Sequence, residues 1–319
     1  MNKDFTVKFW GVRGSYPTPG ANTVKYGGNT SCVEINAGGR TIILDAGTGI
    51  IPLGRELARK QNLELLILFS HLHHDHTQGF PFFVPAYMPK AKLHIYGPGG
   101  TAETVKHVLE HNQSSDTFPI SLRDMASNKD IRSLHESQVI VWEEDGIRVH
   151  ESSPSLSPEA VVIRIHKSYA HPGGVYHYRI EYQGKSVVYA TDTEGYVGMD
   201  CKLIQFSRNA DVLIHDAQYS DEHYITTQGY GHSTATMAGQ VAASAETGQL
   251  ILFHHDPSYA DDAVAAQEDA AKNMFPDSCA AFEGLEIRLP KPDNKTASMK
   301  PTQTSEVLRE RAVKYATHD

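Results

Sequence analysis

Short apolar runs separated by glycine and proline turns dominate the chain. Residues 5–10 (Phe-Thr-Val-Lys-Phe-Trp) alternate apolar and polar side chains, the period of a strand with one covered face. The glycine- and proline-rich stretch 11–20 predicts a loop, and 26–30 predicts a turn. Strands are predicted over 31–36 and 41–44, with Gly38-Gly39 between them marking a hairpin. Helical periodicity over 52–60 leads to a largely apolar, buried strand at 63–69. Such a strand–helix–strand crossover places its loops at strand C-terminal ends, where active-site residues collect.

Beyond it, 79–87 reads as a short apolar helix or pocket wall, 92–96 as a strand and 101–111 as a helix. Residues 113–132 are polar and poorly periodic, the pattern of an insertion. Strands are then predicted over 138–142, 147–150, 161–165, 175–182 and 186–190. Helices at 200–208, 234–246 and 261–273 alternate with apolar strands at 210–214 and 250–253, and 284–288 closes the series. Ser233-Thr234 stands where a helix cap belongs. The parts before and after roughly residue 135 each run strands first and helices later. That order predicts an α/β fold of two sheets packed face to face, with helices outside. Residues 1–290 then form the domain. From 291 to 303 the composition becomes linker-like, and 305–315 reads as a short amphipathic helix or a frayed tail.

The strand ends carry the chemistry. Four histidines and an aspartate fall within Ser70-His71-Leu72-His73-His74-Asp75-His76, directly after the apolar strand. Imidazole nitrogens and carboxylate oxygens suit zinc, manganese or iron(II). On an extended segment His71 and His73 face one way and can share one ion, while a turn lets Asp75 and His76 reach a second. Other apolar strands also end in ligand-type residues: Asp192 in Ala-Thr-Asp-Thr-Glu, and His254 with its neighbour His255. His171 lies in a glycine turn, with His166 and His177 as its rivals. His107 and His111 have chelating i, i+4 spacing but read as solvated helix-face residues. Arg13, Asn29, Tyr230 and His255 are further candidates for lining a pocket.

Composition narrows the setting. The chain has 319 residues, 40% hydrophobic and 21% charged, enough for one large domain or two small ones. Three cysteines, Cys32, Cys201 and Cys279, lie far apart and suggest a reducing cytoplasm rather than a disulfide framework. No apolar run approaches the roughly 20 residues of a membrane span, and the N-terminus enters a strand without a secretory signal pattern. A net charge of −9 with no basic block argues against a long nucleic acid held by phosphate neutralisation. A small anionic substrate would be drawn locally by metal ions.

These motifs resemble the metallo-beta-lactamase superfamily, in the branch of transfer-RNA 3′-processing endonucleases and small cyclic phosphodiesterases. The resemblance runs from Gly27-Gly28-Asn29-Thr30-Ser31 to His254. His71-x-His73-x-Asp75-His76 is similar to the second motif of the superfamily and Leu44-Asp45-Ala46-Gly47 to the first. His171, Asp192 and His254 fit the third, fourth and fifth. His215-Asp216-Ala217-Gln218 is similar to the His-Glu-Ala-Thr motif of the nuclease branch, with Asp for Glu, and Gly231-His232-Ser233-Thr234 to its His-Ser-Thr motif.

The resemblance implies a four-layer αβ/βα sandwich holding two divalent ions, zinc first, with manganese or iron as alternatives. It puts His71, His73 and His171 on one ion, Asp75, His76 and His254 on the other, and Asp192 between them. Asp45 would orient an imidazole. Asp75, His232 and Asp216 form the implied catalytic set, with His232 giving a proton to a leaving alkoxide and Asp216 tuning it. An alkoxide needs that acid more than a carboxylic product does. The expected activity is therefore hydrolysis of a small, cyclic phosphodiester or cyclic nucleotide by a hydroxide activated at the two ions. The alternatives are a thioester, lactone or lactam hydrolase and a tRNA 3′-processing endonuclease. The tRNA enzymes use a protruding basic arm, and residues 113–132 are mixed in charge. A homodimer is implied by the resemblance alone.

Overall fold

The computed structural model describes residues 4–99, 104–195 and 199–290, and in it the apolar runs pair into two mixed sheets. Strands β1 (Phe5–Gly11), β2 (Cys32–Ala37) and β3 (Arg40–Leu44) form an antiparallel meander. Helix α1 (Ile50–Leu57) carries the chain over to β4 (Glu64–Leu68), which lies parallel to β3. A single turn, α2 (His74–Thr77), and 3₁₀ turns at Phe80–Phe82 and Val84–Tyr87 follow. Then β5 (Lys92–Pro98), α3 (Thr104–Asn112) and β6 (Asn128–Leu134) extend the sheet in parallel.

The second sheet begins antiparallel, with β7 (Val139–Glu143), β8 (Gly146–His150), β9 (Val161–Ser168), β10 (Val175–Tyr182) and β11 (Lys185–Ala190). It continues in parallel through α4 (Cys201–Ser207), β12 (Val212–Asp216), α5 (Asp221–Thr227), α6 (Ala235–Ser244), β13 (Gln249–Phe253), α7 (Asp261–Met274) and β14 (Ser278–Ala280). Finally β15 (Glu286–Leu289) crosses back to pair with β1. The orders are β15-β1-β2-β3-β4-β5-β6 and β14-β13-β12-β11-β10-β9-β7-β8.

The inner faces of both sheets close one core. Ile35, Leu66 and Leu68 of the first sheet meet Ile163, Tyr178, Ile214 and Phe253 of the second. Outside the first sheet, Leu53, Leu57, Phe80 and Phe83 cover Leu65, Ile67, Leu93 and Ile95. Outside the second, Leu203, Ala238, Val241 and Ala242 cover Val188, Leu213, Leu250 and Leu252. The result is the expected four-layer αβ/βα sandwich. Burial on both faces explains why the parallel strands β4, β12 and β13 are largely apolar runs without alternation. The predicted cap is present, since the Thr234 hydroxyl accepts from Met237 N, and Asp200 caps α4 by accepting from Lys202 N and Leu203 N.

Three features depart from the sequence pattern. Residues 113–132 are no free insertion: Leu122 and Met125 are buried in the helix-side core, and their C-terminal part enters β6. That strand is polar because it is an edge strand with one side open to water. The closing strand joins the first sheet, not the second, so the chain ends of the domain are tied together by pairing of Phe5 with Leu289. Helix α5 and the three-residue β14 carry no clear periodicity and were not anticipated. His107 and His111 are exposed on α3. The linker-like segment and helix expected within 291–319 lie outside the described residues. Among the described residues, no helix is long and apolar enough to cross a membrane.

Phe253 joins the layers. Its ring lies 6.1 Å from Phe9 and 5.6 Å from Tyr189. Replacing it with Ala should lower unfolding stability by about 3–5 kcal/mol, the range for a buried aromatic lost from a tight core. Urea unfolding measures this, and a loss below about 1 kcal/mol would show that the sheet interface does not depend on that ring.

Candidate metal centre

The parallel strands of both sheets deliver their C-terminal ends to one edge. Asp45 follows β3, the His71–His76 segment follows β4, Asp192 follows β11, Asp216 ends β12 and His254 follows β13. His171 comes from the turn between β9 and β10. At Asp45, Asp192 and His254 the backbone enters the left-handed region, with φ of 60°, 52° and 63°. Side chains other than glycine avoid that region, though Asp and His tolerate it better than branched residues do. Each such residue stores about 1–3 kcal/mol of strain, which persists only where the surroundings over-determine the conformation. Here three strained residues stand at three strand ends and share one cluster of side chains.

After β4 the chain stays extended through His73 and then turns into α2. The turn buries Asp75 and His76 and leaves His74 exposed. Donor atoms of His71, His73 and His171 lie within 4.8 Å of one another, as do those of Asp75, His76 and His254. Within the first group His73 Nδ1 is 3.0 Å from His171 Nε2. In the second, His76 Nε2 is 3.3 Å from His254 Nε2, and each is 3.2 Å from Asp75 Oδ2. Asp192 stands between the groups. Its Oδ2 is 3.3 Å from His76 Nε2, and its Oδ1 is 3.4, 3.7 and 3.9 Å from Nε2 of His254, His71 and His171.

The outer nitrogens of these rings decide what the inner ones present. His76 Nδ1 donates to Asp45 Oδ2 at 2.8 Å, His171 Nδ1 to Gly231 O at 3.1 Å and His254 Nδ1 to Gln218 Oε1 at 2.9 Å. The Ser70 hydroxyl donates to Asp45 Oδ2, so His71 Nδ1, 3.1 Å away, donates to Ser70 Oγ. With the outer protons so placed, the Nε2 lone pairs face inward. His71 Nε2 is buried without a hydrogen-bond partner. Inward lone pairs at such distances repel unless a cation lies between them. Ligand bonds of about 2.0–2.1 Å to one tetrahedral ion put the donor atoms about 3.3–3.4 Å apart, close to the contacts found here. The donor set fits divalent metal.

Protonation is consistent with that fit. Burial, with the neighbouring imidazoles adding to it, pushes His71, His73 and His171 below the usual histidine range, so these rings are neutral. Burial would raise Asp75 and Asp192, but the surrounding imidazoles, His76 and His254 foremost, hold both well below the carboxylate range. Burial opposes a proton on His76, yet Asp75, Asp192 and Asp45 raise it well above the usual value.

Asp45 is the hub behind the centre. Its Oδ1 accepts from Ser70 N at 2.7 Å, and its Oδ2 accepts from Ser70 Oγ, from His76 Nδ1 and from Tyr189 Oη at 2.7 Å. A second hub is Asp216. Its Oδ2 accepts from His232 Nδ1 at 2.7 Å and from Asp192 N at 3.1 Å, and its Oδ1 accepts from Ser233 N at 2.9 Å and Gln218 N at 3.2 Å. The His232 ring stacks on His254 at 5.0 Å and meets His171 edge-on at 5.1 Å. Burial would lower His232, but the charge and hydrogen bond of Asp216, with Asp192 and Asp75 behind them, raise it to about 9. Ions held by Asp192 and Asp75 would cancel their share of that field and leave the share of Asp216.

Glu194 and Tyr189 support the site without any sequence signal, and Gln218 does so from the end of the His215–Gln218 motif. Glu194 accepts from Gly229 N, Gly231 N and Tyr224 Oη at 2.8, 3.0 and 2.8 Å, which pins the loop carrying His232. Gly231 has φ of 90°, and a Cβ there would lie 2.4 Å from His171 Nδ1, so the loop needs glycine. Other candidates lie elsewhere. Arg13 is buried and donates to the carbonyls of Gly27, Asp256 and Tyr259. Asn29 bonds Glu283, and His255 Nε2 donates to Ala281 O. His166 and His177 face each other at 5.7 Å, away from the donor groups. His215 Nδ1 donates to Asp216 O.

Comparison with known proteins agrees with this architecture. The beta-lactamase superfamily domain matches residues 40–255. A ribonuclease Z of Picrophilus torridus is 27% identical over 94% of this chain and 100% of its own length. Among solved structures, the metallo-beta-lactamase fold protein YhfI of Bacillus subtilis aligns with a TM-score of 0.64 at 21% identity, over 90% of this chain and 100% of that one. The short form of human tRNase Z aligns with a TM-score of 0.60 at 19% identity, over 90% and 100%. At those identities the two structures share the fold.

The geometry separates two neighbours that the sequence left as rivals. His254→Ala should lower the metal bound at saturation, read by elemental analysis, whereas His255→Ala should leave it at the wild-type level. The opposite pattern would move the ligand to His255. Asp45→Asn should weaken metal binding about 10–100-fold in a chelator competition, since it removes the charge that orients His76. An unchanged affinity would contradict that role.

Proposed function

The chain belongs to the beta-lactamase superfamily, and on that premise we propose that it is a metal-dependent phosphodiesterase that cleaves an RNA phosphodiester. The observation that carries this reading is the His232–Asp216 pair, 2.7 Å apart and stacked against His254. A phosphodiester releases an alkoxide, which leaves readily only with a proton. With Nδ1 engaged by Asp216, Nε2 is the His232 nitrogen left to give one. Asp216 also accepts from Asp192 N and so fixes the acid relative to the proposed ligand set.

Two divalent ions, zinc first with manganese or iron as alternatives, would supply Lewis acidity and activate water. His71, His73 and His171 would hold one, Asp75, His76 and His254 the other, and Asp192 would serve both. Catalysis is assigned to residues 1–290, as a cytoplasmic enzyme.

The relative named ribonuclease Z, which matches over its full length, favours RNA over the small phosphodiester expected from the sequence. A small cyclic phosphodiester is the second reading. It is favoured by residues 113–132, which are packed on the sheet through Leu122 and Met125 and are mixed in charge, rather than forming a basic arm.

The metal-loaded protein should be offered RNA with a 3′ extension, a cyclic nucleotide, bis-p-nitrophenyl phosphate, a thioester and a beta-lactam. Turnover of only the acyl substrates would sink the proposal, and turnover of cyclic nucleotide without RNA would select the second reading. His232→Ala should keep its metal and lose about 10²–10⁴-fold in RNA cleavage. Its loss on bis-p-nitrophenyl phosphate should be smaller, because p-nitrophenolate departs without a proton. A variant that lost metal would make His232 a ligand instead.

A further inference from the structure

Among the described residues the exposed tyrosines are Tyr16, Tyr169 and Tyr230, at 56%, 76% and 62% exposure. The other described tyrosines are buried or half-buried. A single exposed aromatic is ordinary. These three share a second property: each stands within two residues of a group that touches the metal centre. Tyr16 follows Ser15, whose N donates to Asp75 Oδ2 at 2.8 Å. Tyr169 is two residues before His171, and the intervening Ala170 O accepts from Glu194 N at 3.3 Å. Tyr230 lies between Gly229 and Gly231, both held by Glu194, and two residues before His232.

The three rings are therefore exposed side chains on backbone that is hydrogen-bonded to groups of the metal centre. Aromatic rings on a fixed frame lose little freedom when something stacks on them. On the Tyr169 side, Lys167 Nζ sits 4.9 Å over the ring. Beside it a cavity of about 320 Å³ opens between Leu72, His73, Pro172 and Tyr176, room of the order of one nucleotide.

We propose that Tyr16, Tyr169 and Tyr230 form a stacking rim that receives unpaired nucleobases on either side of the scissile phosphodiester. The inference rests on the ribonuclease reading and deepens it, naming single-stranded RNA as the substrate class. Base–aromatic stacking tolerates any sequence, because every base has a flat face. It also needs no field of positive charge, which a chain of net charge −9 does not offer to a long duplex.

The test is binding of a short single-stranded RNA with non-hydrolysable linkages to the metal-loaded protein. Each Tyr→Ala change should weaken it about 5-fold or more, and the triple change about 100-fold or more, with metal content and melting temperature held. Tyr→Phe at each position should restore wild-type affinity, because stacking needs the ring and not the hydroxyl. Base-paired RNA of the same sequence should bind more weakly and be indifferent to the tyrosines. Unchanged affinity in the triple alanine variant, equal affinity for the duplex, or no binding by the wild type would each overturn the rim. Wild-type protein that binds this RNA through the tyrosines but does not cleave its hydrolysable form would overturn the ribonuclease reading and leave the rim standing.

Discussion

Inward-facing lone pairs are the constraint on which the rest of this structure depends. Ring nitrogens of His73 and His171 approach to 3.0 Å, and those of His76 and His254 to 3.3 Å, with carboxylate oxygens of Asp75 and Asp192 beside them. Acceptors packed that closely are unfavourable without a proton or a cation between them. The arrangement stands because the outer side of each ring is held: His76 by Asp45, His171 by Gly231 O, His254 by Gln218 and His71 by Ser70. Those bonds lie on elements of both sheets, so the sandwich core and the site are one mechanical unit. Phe253 makes the point, since its ring meets Phe9 across the sheets and Tyr189 within its own sheet, and it is followed at once by His254.

Strain is stored where that unit needs it. Asp45, Asp192 and His254 all take a left-handed backbone at the ends of their strands. A regular strand would carry the next side chain on along the pleat, whereas the left-handed residue breaks the pleat at the sheet edge. Hydrogen bonds hold two of the turns, with Asp45 N donating to Leu68 O and Asp192 N to Asp216 Oδ2. Stability is thus given up locally for the position of these donor side chains, as at other functional sites.

Asp216 ties binding to proton transfer. One carboxylate accepts from His232, from the backbone of Asp192 and from the backbone of Ser233. Any movement of the proposed acid relative to Asp192 must therefore break bonds to the same two oxygens. The loop carrying His232 is in turn held by Glu194, and its Gly231 carbonyl receives His171. The exposed rings of Tyr169 and Tyr230 stand on this same frame, so whatever they bind is placed against a rigid reference.

Much of this was legible in the chain itself. The two periods, alternating and helical, located most strands and helices, and the apolar runs of β4, β12 and β13 betrayed strands covered on both faces. Residue type and position marked His71, His73, Asp75, His76, Asp192 and His254 as donor-type side chains at strand ends, while the motif resemblance was needed to place His171 ahead of His166 and His177. Local patterns failed where a segment takes its stability from distant partners. The polar β6 is held as an edge strand, β14 is only three residues long, and β15 crosses back to β1. Tertiary structure separates His254 from His255, which are adjacent in sequence but directed to Asp75 and to Ala281 O, in line with the motif resemblance. It alone revealed Glu194 and Tyr189, ordinary residues whose roles come from what folding brings beside them. Sequence specifies which atoms can bind a metal or move a proton, whereas the direction of each lone pair depends on long-range contacts that no local pattern contains.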